Sequence, residues 1–240
     1  MYLIIDIGNT KTKAAYFSHK ELLQSIDFND FNEQGISKLV NSNEVEKIII
    51  SSVKNISDNF RSSLEKKKVL FLSSTTKIPI VLDYKTPATI GVDRIAAAVG
   101  ASFLFPNENV LCFDLGSCIT SELITADGVY KGGSISPGMS LRFKAMHTFT
   151  DKLPLLAASN QNIILPGDST EACMISGVVN GITYEIKGMI ENYASRYPQL
   201  KVIFTGGDAL YFESLLNMNI FVEPKLVLKG LNEILLYNEL

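Results

Sequence analysis

Two stretches of this chain, half its length apart, carry the same pattern. Leu3-Ile4-Ile5-Asp6-Ile7-Gly8-Asn9-Thr10 is matched by Leu111-Cys112-Phe113-Asp114-Leu115-Gly116-Ser117-Cys118. Each is a short apolar run ending in Asp, an apolar residue, Gly and a small polar residue. A second strand-like run follows each one, Lys13–Phe17 in the first copy and Ile119–Ile124 in the second. The pattern predicts strand, tight turn, strand, with Gly8 and Asn9 supplying the positive φ that a hairpin turn asks for. Two copies at half-chain spacing predict duplicated domains, since a solenoid needs a shorter period and more copies. Pro106-Asn107-Glu108-Asn109 is the clearest turn cluster and sets the expected boundary, giving domains 1–108 and 109–240.

The rest of the chain alternates strands and helices. Residues 47–53 and 69–72 are branched apolar runs and predict buried strands, with helical spacing between them over 57–68. Lys66-Lys67-Lys68 suits a solvated helix end. Residues 95–104 are apolar and Ala-rich, predicting a buried helix that starts just after Asp93-Arg94. A long helix is expected over 169–193, with Ser169 or Thr170 at its start. A last strand, 201–204, is closed by Thr205-Gly206-Gly207-Asp208. This mixture is an α/β protein.

Composition removes several function classes. The net charge of −3, with no long basic run, leaves no field to gather nucleic acid. No apolar run reaches the ~20 residues that span a bilayer, so no membrane partner is expected. Three cysteines, none in a C-x-x-C pair, argue against a disulfide framework or structural zinc. The opening Met-Tyr-Leu-Ile-Ile-Asp carries no leader pattern, and a reducing cytoplasm is the expected location.

Four predicted strand ends join Gly to an acid or hydroxyl: Asp6–Thr10, Asp114–Ser117, Gly132-Gly133 and Thr205–Asp208. Glycine lets backbone N–H groups approach a polyanion, and Thr10, Ser117, Lys11 and Lys13 add donors or positive charge. Carboxylates at strand tips suit a hydrated Mg²⁺, which prefers oxygen and keeps several waters. Two such hairpins facing one another would make a cleft for a nucleoside triphosphate. There is no G-x-x-x-x-G-K-[ST] and no G-x-G-x-x-G opening a helix, so P-loop and dinucleotide-binding readings lack support. His19 and His147 have no partners at metal-ligand spacing, and Ser136 and Ser140 flank Pro137-Gly138 without a hydrolase elbow. Asp208 either faces the adenosine side of the cleft or only closes its corner.

Paired hairpins with a late Thr-Gly-Gly-Asp corner point to the actin-like phosphotransferase architecture. Five blocks make the likeness specific: Asp6-x-Gly8-Asn9-Thr10-x-x-Lys13, Thr86-Pro87-x-Thr89-x-Gly91-x-Asp93-Arg94, Asp114-x-Gly116-Ser117, Gly132-Gly133-x-Ile135-x-Pro137-Gly138 and Thr205-Gly206-Gly207-Asp208. In order and spacing the chain resembles the type III pantothenate kinases across nearly its whole length. The resemblance implies two duplicated ribonuclease-H-like (actin-like ATPase) domains, an interdomain nucleotide cleft and a homodimer. It implies ATP-dependent phosphorylation of pantothenate in coenzyme A synthesis, with Mg²⁺ and a monovalent cation, K⁺ or NH₄⁺.

Carried onto matching residues, the resemblance gives the hairpin Asp6, Ile7, Gly8, Asn9, Thr10, Lys11, Thr12 and Lys13 to the ATP phosphates, and Ser117 to ATP. It gives Tyr84, Gly91, Val92, Asp93 and Arg94 to pantothenate, with Asp93 as the base. Asp114 would hold the monovalent cation, and Thr170 would reach the substrate across the dimer. The family's Asp-x-Gly-Thr-Ala reads Asp114-Leu115-Gly116-Ser117-Cys118 here, which keeps the hydroxyl. Arg94 has two readings, orienting a substrate carboxylate or pairing with Asp93. Two alternatives to the whole assignment are a non-catalytic nucleotide-binding regulator on the same fold and a kinase of another small hydroxy acid or sugar. The intact set Asp6, Asp93, Arg94 and Asp114 speaks against the first.

Overall fold

A computed structural model describes residues 1–29, 32–42, 44–64, 67–157 and 165–238. The strands are β1 (Tyr2–Ile7), β2 (Thr12–Ser18), β3 (Glu21–Phe28), β4 (Lys47–Ser52), β5 (Val69–Phe71), β6 (Val81–Leu82), β7 (Val110–Leu115), β8 (Cys118–Ile124), β9 (Val129–Pro137), β10 (Lys201–Thr205) and β11 (Phe221–Val222). The helices are α1 (Glu33–Val40), α2 (Asp58–Ser63), α3 (Val92–Leu104), α4 (Met139–Thr148), α5 (Thr170–Ala194), α6 (Ala209–Leu216) and α7 (Leu226–Tyr237). The chain divides into two compact units. One comprises residues 1–108, 122–132 and 225–240, the other 109–121 and 133–224. The expected boundary after residue 108 coincides with a division, but two later stretches, the second containing α7, also belong to the first unit.

The first unit is built on a five-stranded sheet in the order β3-β2-β1-β4-β5. β1, β2 and β3 form an antiparallel meander, while β4 runs parallel to β1 and β5 parallel to β4. Alternation along β1 decides the two faces. Leu3, Ile5 and Ile7 enter a core with Ile36 and Val40 of α1 and Phe60 of α2. The opposite face meets α7 and α3, which pack on each other. Small residues permit that crossing: a Cβ on Gly230 would lie 1.8 Å from the Ala96 carbonyl oxygen, and one on Gly100 2.5 Å from that of Leu226. The Ala-rich run in α3 is thus a helix–helix contact surface, which explains why it carries so few large side chains.

In the second unit, β11, β10, β7, β8 and β9 are neighbours in that order. β7 and β10 are parallel, with Asp114 opposite Thr205. Phe113 and Phe204 meet edge to face at 5.5 Å between ring centroids in its interior. Within the first unit β6 pairs with the start of β9, Leu82 opposite Tyr130.

Four local expectations are corrected. Gly8 and Asn9 do not adopt positive φ; the positive-φ glycines among the described residues are Gly128, Gly132 and Gly206. The 8–11 loop closes instead through the Gly8 N–H, which donates to the Lys11 carbonyl at 3.0 Å. Gly132-Gly133 lies inside β9 rather than at a strand end, because close approach there requires glycine. A Cβ on Gly133 would fall 1.7 Å from the Ser121 carbonyl oxygen. α3 begins at Val92, so Asp93 and Arg94 form its first turn. The helix expected over 57–68 is the shorter α2, capped by Ser57, whose Oγ accepts the Phe60 N–H. Lys66 lies outside the described residues.

Candidate active site

The Asp6–Lys13 hairpin presents its loop to solvent, with Asn9, Thr10 and Lys11 exposed. Asp6 sits one residue from the end of β1, only 9% exposed, with Lys13 opposite on β2 and Ser51 opposite on β4. The hydroxyls of Ser51 and Thr12 are wholly buried and make no hydrogen bond among the described residues. A carboxylate at a strand tip with an unused hydroxyl beside it suits a hydrated cation better than an apolar core.

Still in the first unit, the residues expected on the acceptor side come together around the start of α3. Gly91 is the N-cap, and the Asp93 side chain folds back so that Oδ1 accepts the Arg94 N–H at 2.9 Å. A Cβ at position 91 would lie 2.6 Å from that oxygen, so glycine makes the room the carboxylate occupies. The Arg94 guanidinium does not pair with Asp93. Its Nε and Nη2 donate to Glu122 Oε1 and Oε2 at 2.6 and 2.8 Å, a bidentate pair. Glu122 is fully buried, and its Oε2 also accepts the Tyr130 hydroxyl at 2.6 Å. Tyr84 lies 6.0 Å from Tyr130, ring to ring. A Cβ on Gly132 would be 2.9 Å from the Tyr84 ring, so that glycine seats the tyrosine.

The electrostatics follow from this packing. Burial works against the Arg94 charge, but the hydrogen bonds and charge of Glu122 outweigh it, and protonation of the guanidinium is strengthened. Burial first, then the Glu122 carboxylate, pushes the Tyr130 phenol well above its ordinary range, so it stays protonated and donates to Glu122. Glu122 and Tyr130 are the residues that sequence reasoning missed. Their one signal was an acid in the middle of the second predicted strand of the repeat, Ile119–Ile124.

In the second unit, oxygens converge on Gly206. A Cβ there would meet Asp114 Oδ1 and the Leu115 carbonyl oxygen, each at 2.5 Å, and φ of +93° makes the residue a glycine position twice over. The Leu115 carbonyl accepts the Asp208 N–H at 3.0 Å, which ties the Thr-Gly-Gly-Asp corner to the β7–β8 turn. Ser117 is exposed on that turn, and its carbonyl accepts the Gly138 N–H at 3.0 Å. Asp208 starts α6 without capping it, and burial raises its pKa. Thr170 is exposed in the first turn of α5, whose N-cap Ser169 accepts the Ala172 N–H. Among the described residues no group of three or more His, Cys, Asp or Glu could hold a metal. No described helix is long and apolar enough to cross a membrane.

Solved structures set the class. A conserved Baf family protein from Campylobacter jejuni superposes with a TM-score of 0.65 at 22% identity, each chain 98% covered. A glucokinase from an Antarctic psychrotroph does so at 0.53 and 12% identity, each chain 99% covered. With two sheets in a mixed α/β chain, this is the actin-like ATPase fold of two ribonuclease-H-like domains.

Sequence relatives narrow the class further. A family model described as type III pantothenate kinase matches residues 2–192. Proteins of that name from Phocaeicola vulgatus (42% identity over 241 residues, 100% of this chain and 99% of the relative) and Cytophaga hutchinsonii (44% over 238 residues, 99% and 100%) align end to end. The chain belongs to the type III pantothenate kinase family.

Proposed function

We propose that this protein transfers the γ-phosphoryl group of ATP to the hydroxyl of pantothenate, giving 4'-phosphopantothenate for coenzyme A synthesis. The observation that carries the reading is the start of α3, where Gly91 opens space for the Asp93 carboxylate in a chain of this family. Val92 and the backbone of Arg94 complete the pantothenate side, the Arg94 guanidinium being taken by Glu122. The loop from Asp6 to Lys13 takes the ATP phosphates through its backbone N–H groups and Thr10, and the Ser117 hydroxyl takes ATP from the second unit.

Phosphoryl transfer passes through a loose transition state, so the nucleophile needs little activation. A carboxylate is far too weak a base to ionise an alcohol beforehand. Asp93 therefore orients the hydroxyl and accepts its proton late, help worth about 10²–10⁴-fold. Asp6, with the Ser51 hydroxyl beside it, is suited to hold Mg²⁺ through water. When bound, the ion would neutralise charge on the phosphate oxygens. Asp114 and the Leu115 carbonyl, meeting at Gly206, suit a monovalent cation, K⁺ or NH₄⁺.

We read the two copies of the duplication as dividing after residue 108, with residues 122–132 and 225–240 returning to the first unit, and the protein as a cytoplasmic homodimer in which Thr170 reaches the partner's substrate. Support for the dimer comes from large apolar side chains left exposed in the second unit, Ile135, Phe149 and Tyr184 among them. Neither nucleic acid nor membrane has a part in it.

ADP release tests the reading directly, with Mg·ATP and pantothenate, in K⁺ and then Na⁺. Pantothenate-dependent turnover that requires K⁺ supports acceptor and cation site together. Absence of turnover under any cation, from a folded protein that still binds ATP, moves the assignment to another acceptor or to a regulator.

A further inference from the structure

We propose that Glu122 is a positioning residue: by clamping the Arg94 guanidinium it fixes the first turn of α3, and with it the direction in which Asp93 offers its carboxylate to the acceptor hydroxyl. The inference rests on the reading of Asp93 as the base of a pantothenate kinase.

Arg94 links the two halves of the device. Its backbone N–H holds Asp93 Oδ1 at 2.9 Å, while its side chain is held by both oxygens of Glu122. Rotation of that helical turn would break the side-chain pair and swing the carboxylate together. Glu122 is itself pinned by the Tyr130 hydroxyl, and the Tyr130 ring lies beside Tyr84, which rests over Gly132. One buried carboxylate thus organises both the base and the aromatic residue expected to flank the acceptor.

Two arguments separate this role from its rivals. Arg94 is 8% exposed and commits two of its donors and its charge to Glu122, so it does not meet an incoming carboxylate as an uncompensated cation. Stability alone does not account for the pair either, since apolar replacement of a buried ion pair is often neutral or stabilising. What an ion pair provides here is direction, because a bidentate fork has one geometry and an apolar contact has many.

Pantothenate turnover by the wild-type protein, measured first, tests the functional reading separately from this one. Glu122→Gln keeps the shape but strands the Arg94 charge. Its kcat is expected to fall about 10²-fold, the scale of an ångström of misplacement, with pantothenate affinity and the KM for ATP within about threefold of wild type. The double variant Arg94→Met/Glu122→Leu removes both charges. It is expected to recover the wild-type melting temperature and remain slow by the same factor. Tyr130→Phe removes one hydroxyl from a ring that stays in place. It is expected to lower kcat about tenfold, less than the ångström of misplacement that costs about 10²-fold, without a comparable change in pantothenate affinity, so a folded variant is available whatever the other two do. Wild-type kcat in the double variant or in Tyr130→Phe overturns the proposal. So does a Glu122→Gln defect that lies wholly in pantothenate affinity, which would hand Arg94 to substrate recognition.

Discussion

Replacing Gly91 by alanine adds one methyl group at the point where this site is most tightly drawn. The backbone there, φ −57° and ψ 134°, suits alanine, so no main-chain strain arises. The new Cβ would lie 2.6 Å from Asp93 Oδ1 and at ordinary contact, 3.6 Å, from Arg94 Cγ. Carbon and oxygen settle at about 3.3 Å or more, so the carboxylate must retreat by roughly 0.7 Å. The fold loses the Asp93–Arg94 bond, about 1 kcal/mol, and a few tenths more for alanine as an N-cap. At roughly 2–4 °C per kcal/mol for a chain of this size, the melting midpoint falls by only about 3–6 °C. Turnover suffers more, because the base has moved by most of an ångström. A loss near 10²-fold in kcat, about 2.7 kcal/mol of barrier, is expected. ADP release under saturating ATP and pantothenate measures it, with a thermal melt as control. Wild-type kcat in a folded Gly91→Ala protein would refute the idea that the glycine exists to place Asp93.

Asp93→Asn keeps the shape but cannot accept the proton; kcat should drop at least 10²-fold while ATP affinity, measured calorimetrically, is unchanged. Gly230→Ala tests the opposite kind of glycine, where the obstacle is the Ala96 carbonyl of another helix rather than a movable side chain. It should cost about 3 kcal/mol or more, seen as a large fall in denaturation midpoint or as insoluble protein. Asp208→Asn probes burial of a charge. Burial raises the Asp208 pKa, so the folded state binds its proton more tightly than the unfolded chain does, and stability is lost as pH rises through the folded value. The variant should melt higher than wild type at pH 7–8, and its advantage should vanish as pH falls below about 4, where both states are protonated. Melting temperature against pH decides it.

Much of the molecule was legible as strings of residues. The half-chain repeat gives two strand–turn–strand units, β1–β2 and β7–β8, because a branched apolar run followed by Gly and polar residues has few other conformations open to it. The long helix from Thr170 was readable from Ser169, a residue that caps. Asp6, Asp93 and Asp114 became candidates only in combination, because a lone Asp-x-Gly at a strand end is usually just a turn, whereas five such blocks in order and spacing are not.

Other features depended on contacts between distant segments. Whether Arg94 pairs with Asp93 or with something else could not be decided locally, since its partner lies 28 residues away on β8. Gly132 looked like a corner, and a positive φ beneath the Tyr84 ring explains why a strand interior lacks a side chain. α7, at the far end of the chain, returns to close the first unit against α3, which propensity over either segment alone does not reveal. Local sequence determines which residues can turn, extend or coil, because those preferences act over a few bonds. Which buried charge finds which partner is decided only when the chain closes, because an ion pair out of water is tolerable solely where its counter-charge has also been carried.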